Sequence, residues 1–113
     1  MGVVATPSVR RGDVYLVDLG SSRGSVMRKT RPCVIVSPDT MNSSLRSFIV
    51  APLTSGSHDY PYRIPCRFKG KAGHIVLDQI RAADRSRLLR RLGKLPPTTT
   101  ARALSVLQET FAV

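Results

Sequence analysis

The stretch Arg28-Lys29-Thr30-Arg31-Pro32-Cys33-Val34-Ile35-Val36-Ser37 places a basic tract directly before a short, continuous apolar run. An apolar run of this length, bounded by turn residues, predicts a β-strand from Cys33 to Ser37. Pro32 fixes φ and lacks a backbone donor, so it gives the basic tract a defined end. A second apolar run, Val14 to Leu19, predicts another strand before the tract. The basic loop is therefore held at both ends and is a candidate binding site for a polyanion.

Apolar residues recur mostly at every second position along the rest of the chain, which predicts further strands. Tyr60 to Phe68 contains Pro61 and Pro65, so it is expected to be an edge or bulged strand. Asp84-Arg85-Ser86 is expected to cap a short helical turn before a last strand. The predicted strands are Val14 to Leu19, Cys33 to Ser37, Ser47 to Leu53, Tyr60 to Phe68, His74 to Ile80 and Arg90 to Leu95. The predicted turns are Ser37-Pro38-Asp39, Asn42-Ser43-Ser44 and Ser55-Gly56-Ser57.

The C-terminal segment changes period, because Leu104, Leu107 and Phe111 recur at intervals of three and four residues. This spacing predicts an amphipathic helix, and the three threonines after Pro96-Pro97 are expected to cap it. The fold class is therefore mainly β with a C-terminal helix, built as a small, strongly curved antiparallel sheet or barrel. Its 113 residues suit a single domain, residues 10–113, behind a flexible leader, residues 1–9. Neither a secretory signal nor a membrane-spanning stretch is expected.

The chain is strongly basic, with 18 Lys and Arg against 7 Asp and Glu and a net charge of +11. Residues 10–31 carry six cations and two acids, and residues 62–94 carry ten cations and two acids. If these two blocks meet on one face, they form a positive groove that captures phosphate groups. The composition favours a nucleic-acid-binding protein. The alternative is that the same charge only keeps the surface soluble.

The candidate metal ligands are sparse. Cys33 and Cys66 are too few for a disulfide scaffold and wrongly spaced for a zinc site, so we expect reduced, packed thiols, with a single disulfide left open. The acids and histidines do not recur at ligand spacing, and a nucleotide-binding glycine loop is not apparent. We therefore expect no metal and no cofactor, in a cytoplasmic protein.

Several short motifs stand in the order and spacing found in the MazF/PemK toxin family, which the chain resembles over residues 11–95. The resemblance implies a small SH3-like barrel of the MazF/PemK/CcdB type that forms a homodimer. It also implies the toxin of a type II toxin–antitoxin system: a metal-independent, sequence-specific endoribonuclease that cuts single-stranded RNA and inhibits translation and growth. The motifs are Arg11-Gly12-Asp13-Val14-Tyr15-Leu16-Val17-Asp18-Leu19, Arg23-Gly24-Ser25, Lys29-Thr30-Arg31-Pro32, Val34-Ile35-Val36-Ser37-Pro38, Asn42, Val50-Ala51-Pro52-Leu53-Thr54 and Leu77-Asp78-Gln79-Ile80-Arg81.

The resemblance also implies partners. An acidic, MazE-like antitoxin is expected to lay a flexible tail in the RNA groove, in a heterohexamer or similar assembly with the toxin dimer. DNA is expected to be contacted only through the antitoxin, and a membrane not at all.

The family pattern carries over to two catalytic positions, Arg31 and Thr54. A planar guanidinium binds two phosphoryl oxygens at once, which suits it to the charge that builds up when a 2′-hydroxyl attacks phosphorus. A threonine hydroxyl can donate to a non-bridging oxygen, but it is too weak an acid to be a convincing base. The supporting or orienting residues are Asp78, Gln79 and Arg81. The candidate RNA-binding residues are Arg23, Ser25, Arg28, Lys29, Ser55, His58, Tyr60 and Arg63.

Each assignment has a plain structural alternative. Arg31 can instead pair with Asp78 or Asp18, and Thr54 can cap a turn with Ser55. Many relatives carry a glutamate in the first loop where this chain has Val26 and Met27, so the general base and general acid are unassigned.

Two further alternatives concern the chemistry as a whole. A pair of imidazoles, His58 and His74, is the familiar alternative for metal-free RNA cleavage. A non-catalytic RNA-binding module of the same fold also stays open, whereas a gyrase poison is disfavoured because the chain ends Phe111-Ala112-Val113 without a tryptophan.

Overall fold

The computed structural model of the chain describes residues 8–20, 29–56 and 58–113. They form an antiparallel sheet of seven strands with a short helix in one connection and a longer helix at the C-terminus. The strands are β1 (Asp13–Asp18), β2 (Thr30–Ile35), β3 (Ser47–Thr54), β4 (Arg63–Phe68), β5 (Lys71–Val76), β6 (Arg81–Asp84) and β7 (Leu88–Lys94). The helices are α1 (Asp39–Ser44) and α2 (Pro97–Phe111), and single 3-10 turns cover Leu77–Gln79 and Arg85–Arg87.

The prediction of a mainly β fold with a C-terminal helix is confirmed. The strands follow the order β4, β5, β3, β2, β1, β7, and β6 continues alongside β3 beyond the end of β5. The sheet is strongly curved, because a Cβ atom on Gly93 in β7 would lie 3.2 Å from the ring of Phe68 in β4. Among the described residues these two end strands are not paired with each other, so the sheet is curled but not closed by a hydrogen-bonded ladder.

The central strands are buried on both faces, which explains the unbroken apolar run in β2. On one face Val34 and its cross-strand neighbours Val14 and Ala51 join a core that includes Ala103 of α2. On the other face a second cluster is built around the fully buried Phe48 and Val50. Successive residues of a strand point to opposite faces, so a strand buried on both faces needs apolar side chains throughout.

Three local predictions were wrong. The predicted turn Asn42-Ser43-Ser44 instead lies in helix α1, which begins at Asp39. The strand predicted from His74 to Ile80 ends at Val76 and passes into the 3-10 turn Leu77–Gln79. The threonines do not cap α2: Pro96 precedes it with φ −55° and Pro97 opens its first turn, because a fixed proline φ and a missing donor suit that position.

The N-terminal leader falls largely outside the described residues. Val9, its last residue, is 7% exposed and packs in the second cluster with Tyr15 and Val17. The described helices are all too short or too polar to cross a bilayer.

Candidate active site and nucleic-acid surface

Arg31 and Thr54 lie on neighbouring strands at one end of the sheet. In β2 and β3, Ile35 pairs with Val50 and Cys33 with Pro52. Continuing this register by two residues places Arg31 opposite Thr54. Directly opposed residues of an antiparallel pair project from the same face of the sheet, so the two predicted catalytic residues are neighbours.

Both residues line one cavity of about 240 Å³. Leu53, Cys66 and Phe68 supply apolar surface there, while Arg31 and Lys71 supply positive charge. None of the lining residues is acidic, which favours an anionic occupant. The complete lining is Arg31, Pro32, Leu53, Thr54, Ser55, Cys66, Phe68, Lys71, Ala72 and Gly73.

The two carboxylates that could give Arg31 a purely structural role, those of Asp18 and Asp78, contact other arginines. Asp18 lies 3.9 Å from the Nη1 atom of Arg87, and Asp78 pairs with Arg63. The Nε atom of Arg31 is buried and has no hydrogen-bond partner in the part of the chain that the structure describes. A buried donor without a partner is costly in a folded protein, so this guanidinium is suited to receive an oxygen ligand.

Thr54 ends β3 and is held by the neighbouring strand β5. It pairs with His74, and Gly73 passes so close that a Cβ atom there would overlap the Thr54 carbonyl oxygen. Only glycine fits this approach without a shift of the backbone. Within the described residues the Thr54 hydroxyl makes no hydrogen bond to Ser55, so the predicted alternative of a turn cap is not found.

Three aromatic side chains and one arginine form a surface cluster in the stretch from the end of β3 to the first residue of β4. We call these residues, His58, Tyr60, Tyr62 and Arg63, the aromatic cluster. The Tyr60 and Tyr62 rings stack with centroids 5.6 Å apart and an interplanar angle of 7°. His58 meets the Tyr60 ring edge-on at 6.4 Å, and the Arg63 guanidinium lies 5.2 Å from the Tyr60 centroid. Both tyrosines are more than 40% exposed, so these rings are not core residues. Exposed rings beside a cation are the surface on which single-stranded bases stack.

The predicted supporting residues have different partners. Asp78 orients Arg63, accepting hydrogen bonds from its Nε and Nη2 atoms at 3.0 Å each. This hydrogen bonding raises the pKa of Arg63. Arg81 in β6 donates from Nη1 to the carbonyl oxygen of Leu19 at 3.2 Å, which ties β6 to the end of β1. Gln79 lies in the 3-10 turn after Asp78, rather than in a strand.

The basic loop is described only at its ends. Arg23, Ser25 and Arg28, predicted to bind RNA, lie outside the described residues. Lys29 is exposed with φ +65°, donates its amide to the Gly20 carbonyl at 2.8 Å, and accepts from the Leu19 amide at 2.8 Å. The loop thus leaves and rejoins the sheet at hydrogen-bonded ends. Its C-terminal end differs from the prediction, because Thr30, Arg31 and Pro32, expected to close the loop, are the first residues of β2.

Neither cysteine is in a disulfide. Cys33 is fully buried, and desolvation raises the pKa of its thiol to about 12. Cys66 lines the cavity, and burial raises its thiol pKa as well. A high pKa leaves little thiolate at neutral pH, so neither thiol is suited to be a nucleophile. The described residues contain no group of three or more His, Cys, Asp or Glu side chains arranged to hold a metal ion.

One feature of the site was not anticipated from the sequence. The Nε2 atom of His74 lies 2.8 Å from Oδ1 of Asp59. His74 thereby links Asp59, which lies between His58 and Tyr60 in the chain, to Thr54, its partner across the β3–β5 ladder. The sequence shows that His74 directly follows Gly73. It does not show the contact with Asp59, because that contact forms only when the fold brings the loop containing Asp59 next to β5.

Comparisons with known proteins agree on one family. The profile of the family described as PemK-like, MazF-like toxin of type II toxin–antitoxin system matches residues 10–111. Endoribonuclease MazF of Staphylococcus epidermidis is 39% identical over 90 residues, which cover 74% of this chain and 75% of that protein.

Solved structures share the fold. The crystal structure of MazF from Deinococcus radiodurans superposes with a TM-score of 0.83 at 22% identity, covering 96% of this chain and all of that one. A mycobacterial endoribonuclease in complex with its cognate antitoxin superposes with a TM-score of 0.75 at 24% identity, covering 88% of this chain and 91% of that one.

Proposed function

This chain belongs to the PemK-like, MazF-like toxin family of type II toxin–antitoxin systems, and we propose that it cuts single-stranded RNA without a metal ion. The observation that carries the proposal is that Arg31 and Thr54 line one cavity while the buried Nε atom of Arg31 is left without a partner among the described residues. The cavity contributes two cations and two hydroxyls but no acid, which suits a phosphodiester.

The proposed reaction is an internal transfer at phosphorus. The 2′-oxygen of one ribose loses its proton and bonds to the adjacent phosphorus, and the bond from phosphorus to the 5′-oxygen of the next nucleotide breaks. The products are a 2′,3′-cyclic phosphate and a 5′-hydroxyl. Two oxygens of the intermediate carry added negative charge, so the Arg31 guanidinium stabilises it more than the ground state. The Thr54 hydroxyl donates to a non-bridging oxygen and fixes the direction of attack.

The aromatic cluster is proposed to hold the RNA strand beside this centre. Tyr60 offers an exposed ring to a base, and Arg63, oriented by Asp78, offers a cation to a phosphate. His58 and Ser55 flank the same stretch of chain, and Lys29 stands at the described end of the basic loop. We also propose that RNA contacts Arg23, Ser25 and Arg28, an assignment that rests on the sequence. Gln79 and Arg81 remain proposed supports of the site.

The proposed partners follow from charge and family. A net charge of +11 on 113 residues favours an acidic antitoxin that covers the cations of the RNA surface. We propose a homodimeric toxin that assembles with this antitoxin and contacts DNA only through it. Cleavage of messenger RNA in the cytoplasm would stop translation and growth.

The decisive experiment incubates a long RNA with the purified protein in a chelator and maps the new ends. We expect cuts that leave cyclic phosphate and 5′-hydroxyl termini, and loss of cutting in Arg31→Ala and Thr54→Ala variants that keep the circular dichroism spectrum of the parent. Arg102→Ala is the matched control, because it removes one exposed cation from α2, away from the cavity.

Two results would contradict the proposal. Protection of RNA without cutting would assign the chain to the alternative, a non-catalytic RNA-binding module. Undiminished cutting by folded Arg31→Ala would remove Arg31 from the reaction.

A further inference from the structure

The proposed reaction needs a group that accepts the proton of the 2′-hydroxyl, and the cavity residues do not supply one. Its lining contains two cations, two hydroxyls and a thiol whose pKa burial raises, but no carboxylate and no imidazole. We infer that His74, oriented by Asp59, is the general base of the cleavage reaction. This inference rests on the proposed ribonuclease function and names a residue for its unassigned step.

The hydrogen bond to Asp59 decides which ring nitrogen is free. A carboxylate oxygen accepts hydrogen bonds, so the 2.8 Å contact from Nε2 to Oδ1 of Asp59 places the ring proton on Nε2. The other nitrogen, Nδ1, then carries a lone pair and can accept a proton. A carboxylate on the far side of an imidazole fixes its tautomer and stabilises the imidazolium that forms.

The position of His74 in the sheet puts its side chain on the same face as Thr54 and Arg31. His74 is paired with Thr54, and the β2–β3 register places Arg31 on the other side of Thr54. The three residues form a row across β2, β3 and β5, and residues opposed in this way share a face. A guanidinium, a hydroxyl and an imidazole are therefore brought side by side on three strands.

The environment of the Nδ1 atom is that of a group that binds a ligand, rather than that of a group that stabilises the fold. It is buried, and among the described residues it has no hydrogen-bond partner. A histidine that only braces the sheet gains stability by bonding both nitrogens, whereas a buried unpartnered nitrogen costs free energy. Because Nδ1 is closed to water in the free chain, RNA has to uncover it on binding.

The proton balance is complete. His74 Nδ1 takes the proton of the 2′-hydroxyl as the 2′-oxygen bonds to phosphorus, and Asp59 stabilises the resulting imidazolium. The 5′-oxygen leaves with the electron pair of its bond to phosphorus and takes a proton from water. The imidazolium then returns its proton to solvent.

The test measures single-turnover cleavage and RNA affinity for His74→Ala, His74→Gln and Asp59→Asn. Glu109→Gln is the matched control, because it removes an exposed carboxylate from α2. Affinity is measured on the same RNA with a 2′-deoxy residue at the cut, which binds but lacks the nucleophile. We expect His74→Ala and His74→Gln to slow cleavage about 10²- to 10⁴-fold, the range of a general base, with the dissociation constant changed less than about threefold.

Chemical rescue separates a base from a structural residue. Added imidazole should restore part of the activity of His74→Ala, whereas pyrazole, similar in shape but far less basic, should not. Neither should rescue Arg31→Ala. Asp59→Asn should slow cleavage about tenfold or more, and because Asp59 is 89% exposed this variant tests the inference even if the His74 variants fail to fold.

The outcomes separate this inference from the proposed function. If the parent protein and the His74 and Asp59 variants cut equally while Arg31→Ala does not, His74 is not the base and the ribonuclease proposal stands. If His74→Ala loses affinity in parallel with rate, or pyrazole rescues as well as imidazole, the role is structural and the inference is wrong. If the parent protein leaves RNA intact, both proposals fall together.

Discussion

Gly73 and Thr54 approach so closely that the carbonyl oxygen of Thr54 occupies the space of a Cβ atom on residue 73. This approach sets the spacing of β5 from β3 at the end of the sheet where the cavity lies. His74 directly follows Gly73, and Thr54 lines the cavity. The close approach that glycine permits at position 73 therefore sets the relative positions of two proposed site residues, Thr54 and His74.

Replacement of Gly73 by alanine should therefore destabilise the protein and disturb the site. The added methyl group overlaps backbone atoms that cannot rotate away, so we expect a loss of about 1–3 kcal/mol in the free energy of unfolding. Gly56→Ala is the matched control, because a Cβ atom at Gly56 meets nothing within 4 Å, and it should change stability by less than about 1 kcal/mol. Urea titration checks both values, and equal stability of the two variants would contradict the steric account.

Replacement of Arg31 by lysine tests whether the planar donor set matters or only the charge. Lysine keeps the charge but cannot donate to two phosphoryl oxygens in a fixed geometry. We expect the rate of RNA cleavage to fall about 10²- to 10³-fold, the cost of removing an oxyanion donor. Arg102→Lys should leave the rate unchanged. A rate for Arg31→Lys within threefold of the parent would show that a point charge is sufficient.

Replacement of Tyr60 by alanine should weaken RNA binding without weakening the fold. A base stacked on an aromatic ring contributes about 1–3 kcal/mol, so affinity for an uncleavable RNA should fall about 5- to 150-fold. Tyr60→Phe keeps the ring and should bind as the parent does. Fluorescence anisotropy over a range of RNA concentrations checks this, and equal affinity of the alanine and phenylalanine variants would place the RNA elsewhere.

A salt series distinguishes stacking from phosphate contact within the aromatic cluster. Arg63→Ala should make the slope of log affinity against log salt shallower by about 0.7, because one phosphate contact is lost. Tyr60→Ala should lower affinity at every salt concentration with no change of slope. Parallel slopes for the parent and Arg63→Ala would show that Asp78 orients Arg63 for a structural purpose only.

The thiols should differ in reactivity. Burial raises the pKa of Cys33 to about 12, far above pH 8, so its thiolate fraction at that pH is very small, and the fully buried sulfur is also shielded. Cys66 is only partly buried, so a thiol-reactive dye should label Cys66 first and Cys33 only on unfolding. Cys66→Ser should abolish the labelling of the native protein, and rapid labelling of that variant would contradict the burial of Cys33.

The sequence predicted the strands better than the connections. Strands such as Ser47–Thr54 follow from local apolar patterns, which need no knowledge of distant residues. Helix α1 was missed because its residues, Asp39 to Ser44, favour turns, and because its first residue is held by a distant one: the Arg11 amide donates to Asp39 Oδ1 at 2.7 Å. Asn42 is buried within it and donates to the Ser37 carbonyl at 3.0 Å, while the Ser37 hydroxyl donates to Asn42 Oδ1 at 2.6 Å.

The candidate site was predictable in part. Arg31 and Thr54 follow from the motif order of the family, and the structure places them in one cavity. The hydrogen bonds from Arg63 to Asp78 and from His74 to Asp59 each join residues 15 positions apart. They depend on how β4, β5 and the loop before them are aligned, and neither local periodicity nor spacing encodes that alignment.

The 3-10 turn Leu77–Gln79 divides one side of β3 between two strands. Four residue pairs join β3 to β6, whereas two pairs, Leu53 with Ile75 and Thr54 with His74, join it to β5. A shorter ladder opens at a lower free-energy cost than a longer one. Amide hydrogens along the Leu53–Ile75 ladder should therefore exchange with solvent faster than those along the Phe48–Ala83 ladder. The end of β3 that carries the proposed site can then open for RNA while the opposite end keeps the protein folded.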